Sequence, residues 1–354
     1  MQKTDQLFYE DIHGVSLADF IPWKQLKNKT LFITGATGLI GSSLIKALLY
    51  ASDIKSLDLK IIALVRNEKR AMERFKEEWK KEGSLQFIVG TVEKMPEISD
   101  SIDYIIHGAS QTASKEFVEH AVETIETAIC GTKNVLELAK SKQIQGLVYL
   151  SSMEVYGFPS KGHKVTEEEI GAMSPLDIRN SYPISKQMCE ALSCAYVKEY
   201  SIPAMIIRLT QTFGPGINYN DTRVFAYFIR CAYEKKDIVL KTKGETERSY
   251  LYTTDAVTAI LTVLLKGKPG QAYNAADENT YCSIAEMATN VAEGAGIKVC
   301  FQLEDEESNG FPKTIYMDLD TTRLKKLGWK PFGGGYTINE MYKKTLGWIK
   351  KTIM

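Results

Sequence analysis

Residues 30–41 (Thr-Leu-Phe-Ile-Thr-Gly-Ala-Thr-Gly-Leu-Ile-Gly) restrict the fold more than any other stretch of the chain. A short apolar, β-branched run over 31–34 breaks into Gly35, Gly38 and Gly41, and the chain resumes with helical periodicity over 42–49. Strand, glycine turn, helix is the setting in which a glycine motif signals a dinucleotide. Glycine lets the backbone turn tightly and approach a pyrophosphate, whose charge sits among the unpaired N–H groups of the helix N-terminus. The spacing is G-x-x-G-x-x-G rather than G-x-G-x-x-G, so on the motif alone a plain tight turn is the competing reading. On the dinucleotide reading, Gly35, Thr37, Gly38, Leu39, Ile40 and Gly41 line the cofactor.

The following chain repeats the same alternation. Strands are expected at 60–65, 85–90, 104–107 and 146–151, with a helix around 131–139 before the last of them. Strands separated by helices at this interval specify a doubly wound parallel sheet. In such sheets ligands bind beyond the C-terminal ends of the strands. The strand over 104–107 runs into Gly108-Ala109-Ser110, and small residues there, Ala109 among them, let a cofactor lie close. The strand over 60–65 ends in Arg66-Asn67, at the distance from the glycines that reaches the adenosine ribose. An acid there would take the ribose hydroxyl protons of NAD. Arg66, with Lys69 and Arg70 behind it, suits the 2′-phosphate of NADP instead, so both cofactors stay open.

Bulk properties exclude several classes. Lys+Arg and Asp+Glu balance at 44 each, so no global field favours nucleic acid or an anionic membrane. Six cysteines show no C-x-x-C and no metal spacing, and four scattered histidines offer no metal site; free thiols and a cytoplasmic setting are expected. No apolar run approaches membrane-spanning length. The expected organisation is an extension over 1–29 packing on the core, and a dinucleotide-binding domain over 30–215. A smaller substrate lobe over 216–354 follows, with some segments returning to the first domain. The acidic run 304–307 reads as a solvated loop.

Past the strand ending at Ser151 lie Ser152, Met153 and Glu154, and further on Tyr182-Pro183-Ile184-Ser185-Lys186 opens a helix. Tyr182 and Lys186 are i,i+4 and share one helical face. An ammonium near a phenol favours the phenolate, which makes Tyr182 a credible base near neutral pH.

Four motifs in order carry a family resemblance: Thr34-Gly35-Ala36-Thr37-Gly38-Leu39-Ile40-Gly41, Ser151-Ser152 leading to Val155-Tyr156-Gly157, Tyr182 with Lys186, and Arg208 leading to Phe213-Gly214-Pro215-Gly216. Over roughly 28–350 the chain resembles the extended short-chain dehydrogenases/reductases, the nucleotide-sugar epimerases, dehydratases and decarboxylases. The resemblance implies a Rossmann-type α/β fold, a nicotinamide cofactor, a nucleotide-sugar substrate and a homodimer. It implies that Tyr182 takes the 4-hydroxyl proton, that Ser152 hydrogen-bonds the same oxygen and that Lys186 binds the nicotinamide ribose. It also implies that Glu154 handles the C5 proton of a 4-keto sugar, and that Arg223 and Arg248 clamp the pyrophosphate. A dehydratase would carry aspartate where Met153 stands. A UDP-glucuronate decarboxylase is more similar, and there Arg179 would hold a substrate carboxylate. A nucleotide-sugar 4,6-dehydratase and an NADPH-dependent carbonyl reductase are the alternatives, and Arg66 speaks for the second. The segment 271–276 resembles the returning strand of the smaller lobe.

Overall fold

The computed structural model describes residues 6–76, 78, 83–111, 118–304 and 313–353; of the acidic run, 305–307 lie outside the described residues. In chain order the strands are β1 (Thr30–Thr34), β2 (Lys60–Val65), β3 (Leu85–Val89), β4 (Tyr104–His107), β5 (Gly146–Ser152), β6 (Lys164–Val165) and β7 (Ala204–Leu209). There follow β8 (Gln211–Phe213), β9 (Ile238–Leu240), β10 (Glu247–Tyr252), β11 (Ala272–Ala275), β12 (Asp277–Ser283), β13 (Val299–Phe301) and β14 (Tyr316–Leu319).

The main sheet has the order β11-β7-β5-β4-β1-β2-β3, and every pairing in it is parallel. Its central strands are apolar without alternation because both faces are covered. Within β1, Leu31 and Ile33 face a core completed by Leu44 and Leu48 of the helix Leu39–Lys55 and by Ile260 of the helix Thr253–Lys266. Phe32 faces the other core, with Val135 of the helix Ala121–Lys142 and Tyr196 of the helix Ser181–Tyr200. The order reverses between β1 and β4, so the glycine turn after β1 opens at the switch point, where ligands bind in open α/β sheets.

The segment 271–276 corrects an expectation. Rather than belonging to the smaller lobe, β11 adds to the main sheet beside β7, from Ala272 opposite Ile206 to Ala275 opposite Leu209. Tyr273 fills one core and Ala272 packs on the other, so this strand needs helices on both its faces. A second sheet has the order β12-β10-β14-β6, with β8 beside β10. Its core joins Phe213, Phe225, Tyr250 and Tyr342, the first two stacked with ring centroids 4.9 Å apart. Strands β9 and β13 form a separate pair.

Residues before β1 are knitted into this body. Phe8, Ile12 and Val15 of the helix Gln6–Ser16 share a core with the helix Leu39–Lys55. Asp11 accepts the Tyr252 hydroxyl at 2.5 Å and pairs with Lys344 at 2.8 Å. Trp23 is buried and donates Nε1–H to the Ala18 carbonyl at 3.0 Å. Asp255, in the first turn of the helix Thr253–Lys266, is fully buried, and its Oδ1 accepts the Phe332 N–H at 2.8 Å while Oδ2 has no hydrogen-bond partner. Burial, with the charges of Asp277 and Asp11 behind it, pushes the Asp255 carboxyl up to about 7 against the pull of the Phe332 N–H. All six cysteines are free thiols. No described helix is long and apolar enough to cross a membrane.

Candidate active site

The glycine turn is built by close backbone approach. Gly35 has φ +71°, and a Cβ there would stand 2.5 Å from the Gly108 carbonyl oxygen; one on Gly41 would stand 2.3 Å from that of Gly35. Neither position accepts a side chain without moving backbone. Gly38 caps the helix Leu39–Lys55 and is exposed, which leaves the first-turn N–H groups open beside Thr37, Leu39 and Ile40. Such a cradle of N–H groups fits the pyrophosphate of a dinucleotide.

Two residues that sequence reasoning passed over brace this turn. Arg74 donates Nη2–H groups to Ser42 Oγ at 2.9 Å and the Gly216 carbonyl at 2.8 Å, tying the helix behind the turn to the chain just after β8. It lies in a charged run that reads as plain helix surface. His107 is the second. Thr34 Oγ1 accepts the Gly108 and Ala109 N–H groups at 3.2 and 3.1 Å, so its own proton goes to His107 Nδ1 at 2.7 Å. His107 Nε2–H is then left to donate to Thr132 Oγ1 at 3.2 Å. Burial, aided by the Lys186 charge, pushes His107 down to about 3, and it stays neutral.

Ser152 ends β5 and caps the turn Met153–Tyr156, its Oγ accepting the Glu154 N–H at 3.2 Å. The Ser152 hydroxyl is a neighbour of the Tyr182 phenol and favours its ionised form, and Tyr182 sits in the first turn of the helix Ser181–Tyr200. One turn on, Lys186 donates Nζ–H to the Leu150 carbonyl at 2.7 Å. Glu154 is half-buried among these groups; burial raises its carboxyl, opposed by the charges of Arg248 and Lys186.

The expected acidified phenol is overturned. Burial holds the Tyr182 hydroxyl well above its usual range and the Glu154 charge adds to that, outweighing the Ser152 hydroxyl and the Arg223 charge. Lys186 spends its ammonium on Leu150, with Nζ 4.7 Å from the Tyr149 ring centroid and 5.6 Å from that of Tyr182. Burial in turn pushes Lys186 down to about 8, against the pull of its neighbours Cys189, Glu190 and Glu154.

Ser152, Glu154, Tyr182, Lys186, Arg223 and Arg248 thus share one electrostatic neighbourhood. Arg248 lies on β10 where the register against β12 shifts; its Nε is buried without a hydrogen-bond partner, and its charge reaches Glu154. Arg223 grips Asp221 with both Nε and Nη2, at 3.0 and 2.6 Å. Met153 is buried against Val155 and Met317, 3.2 Å from Thr210 Oγ1, so no acid stands there.

Arg66, Asn67 and Arg179 are the other expected site residues; the charges that bear on Tyr182 are those of Glu154 and Arg223. Arg66 is exposed at the end of β2, and its charge acts on Glu93, whose carboxyl the Thr127 and Thr91 hydroxyls also hold low against burial. Asn67 Oδ1 caps the helix Glu68–Arg74 by accepting the Arg70 N–H at 2.9 Å. Arg179 is exposed on the turn Ile178–Asn180, where its N–H donates to Asp177 Oδ1 at 3.0 Å.

Comparison with known proteins gives one consistent result. UDP-glucuronic acid decarboxylase 1 of Xenopus tropicalis is 28% identical over 327 residues, 92% of this chain and 73% of that protein. Human dTDP-D-glucose 4,6-dehydratase is 27% identical over 266 residues, 72% of this chain and 70% of that one. The UDP-N-acetylglucosamine 4-epimerase of Methanobrevibacter ruminantium M1, solved in complex with UDP-N-acetylmuramic acid, shares the fold. Its TM-score is 0.78 at 20% identity, over 92% of this chain and 99% of that one. The family described as NAD dependent epimerase/dehydratase matches residues 31–276, a span holding the glycine turn, Ser152, Tyr182, Lys186 and both lobe arginines. The chain is an enzyme of the NAD-dependent epimerase/dehydratase family.

Proposed function

We propose that this enzyme oxidises a nucleotide sugar at C4, epimerises or decarboxylates the transient 4-keto sugar, and then reduces it again. The observation that carries this is the grouping of Tyr182 and Ser152, with Glu154 and Lys186 beside them, at the C-terminal end of β5. NAD, held by the turn residues 35–41 and Ala109, supplies the hydride acceptor and a positive charge when bound. Tyr182 removes the 4-hydroxyl proton; its high proton affinity in this buried site makes a nearby positive charge necessary for that role. Ser152 holds the same oxygen, and Lys186 offsets the developing alkoxide. Glu154 takes or steers the C5 proton. Arg248, beside Glu154 with a buried unpartnered donor, suits a carboxylate on the sugar, which favours decarboxylation. Met153 in place of an acid speaks against loss of water.

The same proposal assigns residues 30–215 mainly to the cofactor and 216–354 mainly to the substrate, with 1–29 bracing both. Val122 and Ile125 on one helix and Met188 on the helix packed beside it are exposed and apolar, which supports a homodimer through that face. Six free thiols support a cytoplasmic setting. The test is product analysis by mass spectrometry against UDP-, dTDP-, GDP- and CDP-sugars, UDP-glucuronate included. One of them is converted by the enzyme and not by Tyr182→Phe, which keeps its circular dichroism and its NAD affinity; unchanged turnover in Tyr182→Phe refutes the assignment.

A further inference from the structure

Behind the reaction centre lies a buried polar network that the mechanism above does not use. Glu190, one turn beyond Lys186 on the same helix, accepts the Ser151 hydroxyl on Oε1 at 2.5 Å. It also accepts Arg208 Nε–H on Oε1 at 3.0 Å and Nη2–H on Oε2 at 2.7 Å. Arg208, on β7, donates Nη1–H to the Tyr156 hydroxyl at 2.7 Å and to the Glu167 carbonyl at 3.1 Å. Tyr156 passes its own proton to Asn274 Oδ1 on β11 at 2.7 Å. Ser151, Glu190 and Arg208 are all buried, so this carboxylate and guanidinium face one another out of water, where such a pair is expensive to keep unless every partner is satisfied.

The placement makes a ladder. Three successive turns of one helix grip three successive residues of β5: Tyr182 meets Ser152, Lys186 meets the Leu150 carbonyl, and Glu190 meets the Ser151 hydroxyl. Glu190 is therefore the rung farthest from the chemistry, and it is the one anchored from behind by an ion pair. We propose that Glu190, backed by Arg208, is a positioning residue: it locks the helix on the strand end so that Ser152 meets Tyr182, and it is the fixed counter-charge of Lys186. This rests on the reading of Tyr182, Ser152 and Lys186 as the reaction centre.

Groups facing Lys186 come from every neighbouring element: Glu154 from the turn after β5, Tyr149 from β5, His107 from β4, and Tyr182, Cys189 and Glu190 from its own helix. His107 is neutral, so Glu154 and Glu190 are the carboxylates that keep the ammonium charged. Removing one such charge lowers the midpoint of Lys186; at an effective dielectric of about 20, a unit charge roughly 10 Å away is worth about one pH unit.

The test uses protein labelled with 13Cε-lysine and saturated with NAD, the Lys186 signal being identified by its loss in Lys186→Met. In Glu190→Gln the Lys186 midpoint falls by about one pH unit, and the alkaline limb of kcat moves down with it while NAD affinity holds. A midpoint that stays in place in a natively folded Glu190→Gln overturns the proposal. Should the stranded Arg208 unfold that variant, the proposal is read from Ser151→Ala, which keeps both charges of the Glu190–Arg208 pair. Ser151→Ala cuts the rung and keeps the charge: kcat falls severalfold with its pH limb unmoved, whereas an undiminished kcat overturns the positioning role. If no nucleotide sugar is converted by the unaltered enzyme, the functional reading fails, and the lysine titration still decides this one.

Discussion

Asp255 gives a stability prediction whose sign and size follow from its surroundings. Its carboxyl is fully buried, has one oxygen without a partner, and holds its proton up to about 7 against an ordinary 3.8. Across that window the folded protein keeps a proton that the unfolded chain has released, so stability falls as pH rises. The loss is absent below roughly pH 4 and complete above roughly pH 7, and at 1.36 kcal/mol per pH unit it amounts to about 4 kcal/mol. An unfolding entropy of about 2.1 cal/mol/K per residue makes that worth roughly 5 °C for a chain of this length. Asp255→Asn keeps an oxygen for the Phe332 N–H and removes the charge. At pH 8 the variant should melt about 5 °C above the parent by circular dichroism, and near pH 5 the gap should shrink to a degree or two. A gap of equal size at both pH values refutes the reasoning.

Two further perturbations test the site. If Glu154 moves the C5 proton, Glu154→Gln stops solvent deuterium from entering C5 of the sugar, measured by mass spectrometry on recovered material; undiminished incorporation counts against it. Arg66→Asp puts a carboxylate at the end of β2 and should leave NAD affinity intact or tighter while weakening NADP at least tenfold by calorimetry. Unmoved NADP affinity would take Arg66 out of the ribose site.

What the sequence discloses is set by period and by backbone chemistry. Runs such as Leu31-Phe32-Ile33 announce a strand covered on both faces, and glycines at 35 and 41 announce backbone packed so closely that a Cβ there would stand under 3 Å from a carbonyl oxygen. Tyr182, Lys186 and Ser152 could be singled out because their types and spacing already imply a chemistry. Electrostatic balance was less accessible. The i,i+4 spacing of Tyr182 and Lys186 suggests an acidified phenol, yet that spacing carries no information about burial, and burial decides the direction. Arg74 and His107 were hidden for a related reason: each acts through partners, Gly216 and Thr132, that sit far from it along the chain. The place of β11 was misjudged because a four-residue strand reads alike in either sheet, and only the two cores flanking Tyr273 and Ala272 distinguish them.

The helix Gln6–Ser16 carries a consequence for how the molecule is made. Asp11 waits for Tyr252, 241 positions further on, and for Lys344 beyond that, so its partners leave the ribosome long after it does. Until then Phe8, Ile12 and Val15 form an apolar stripe on an early segment of nascent chain, open to chaperones and to wrong neighbours. Closure of this part of the body therefore waits for Tyr252 and Lys344, which seal a helix made well before them.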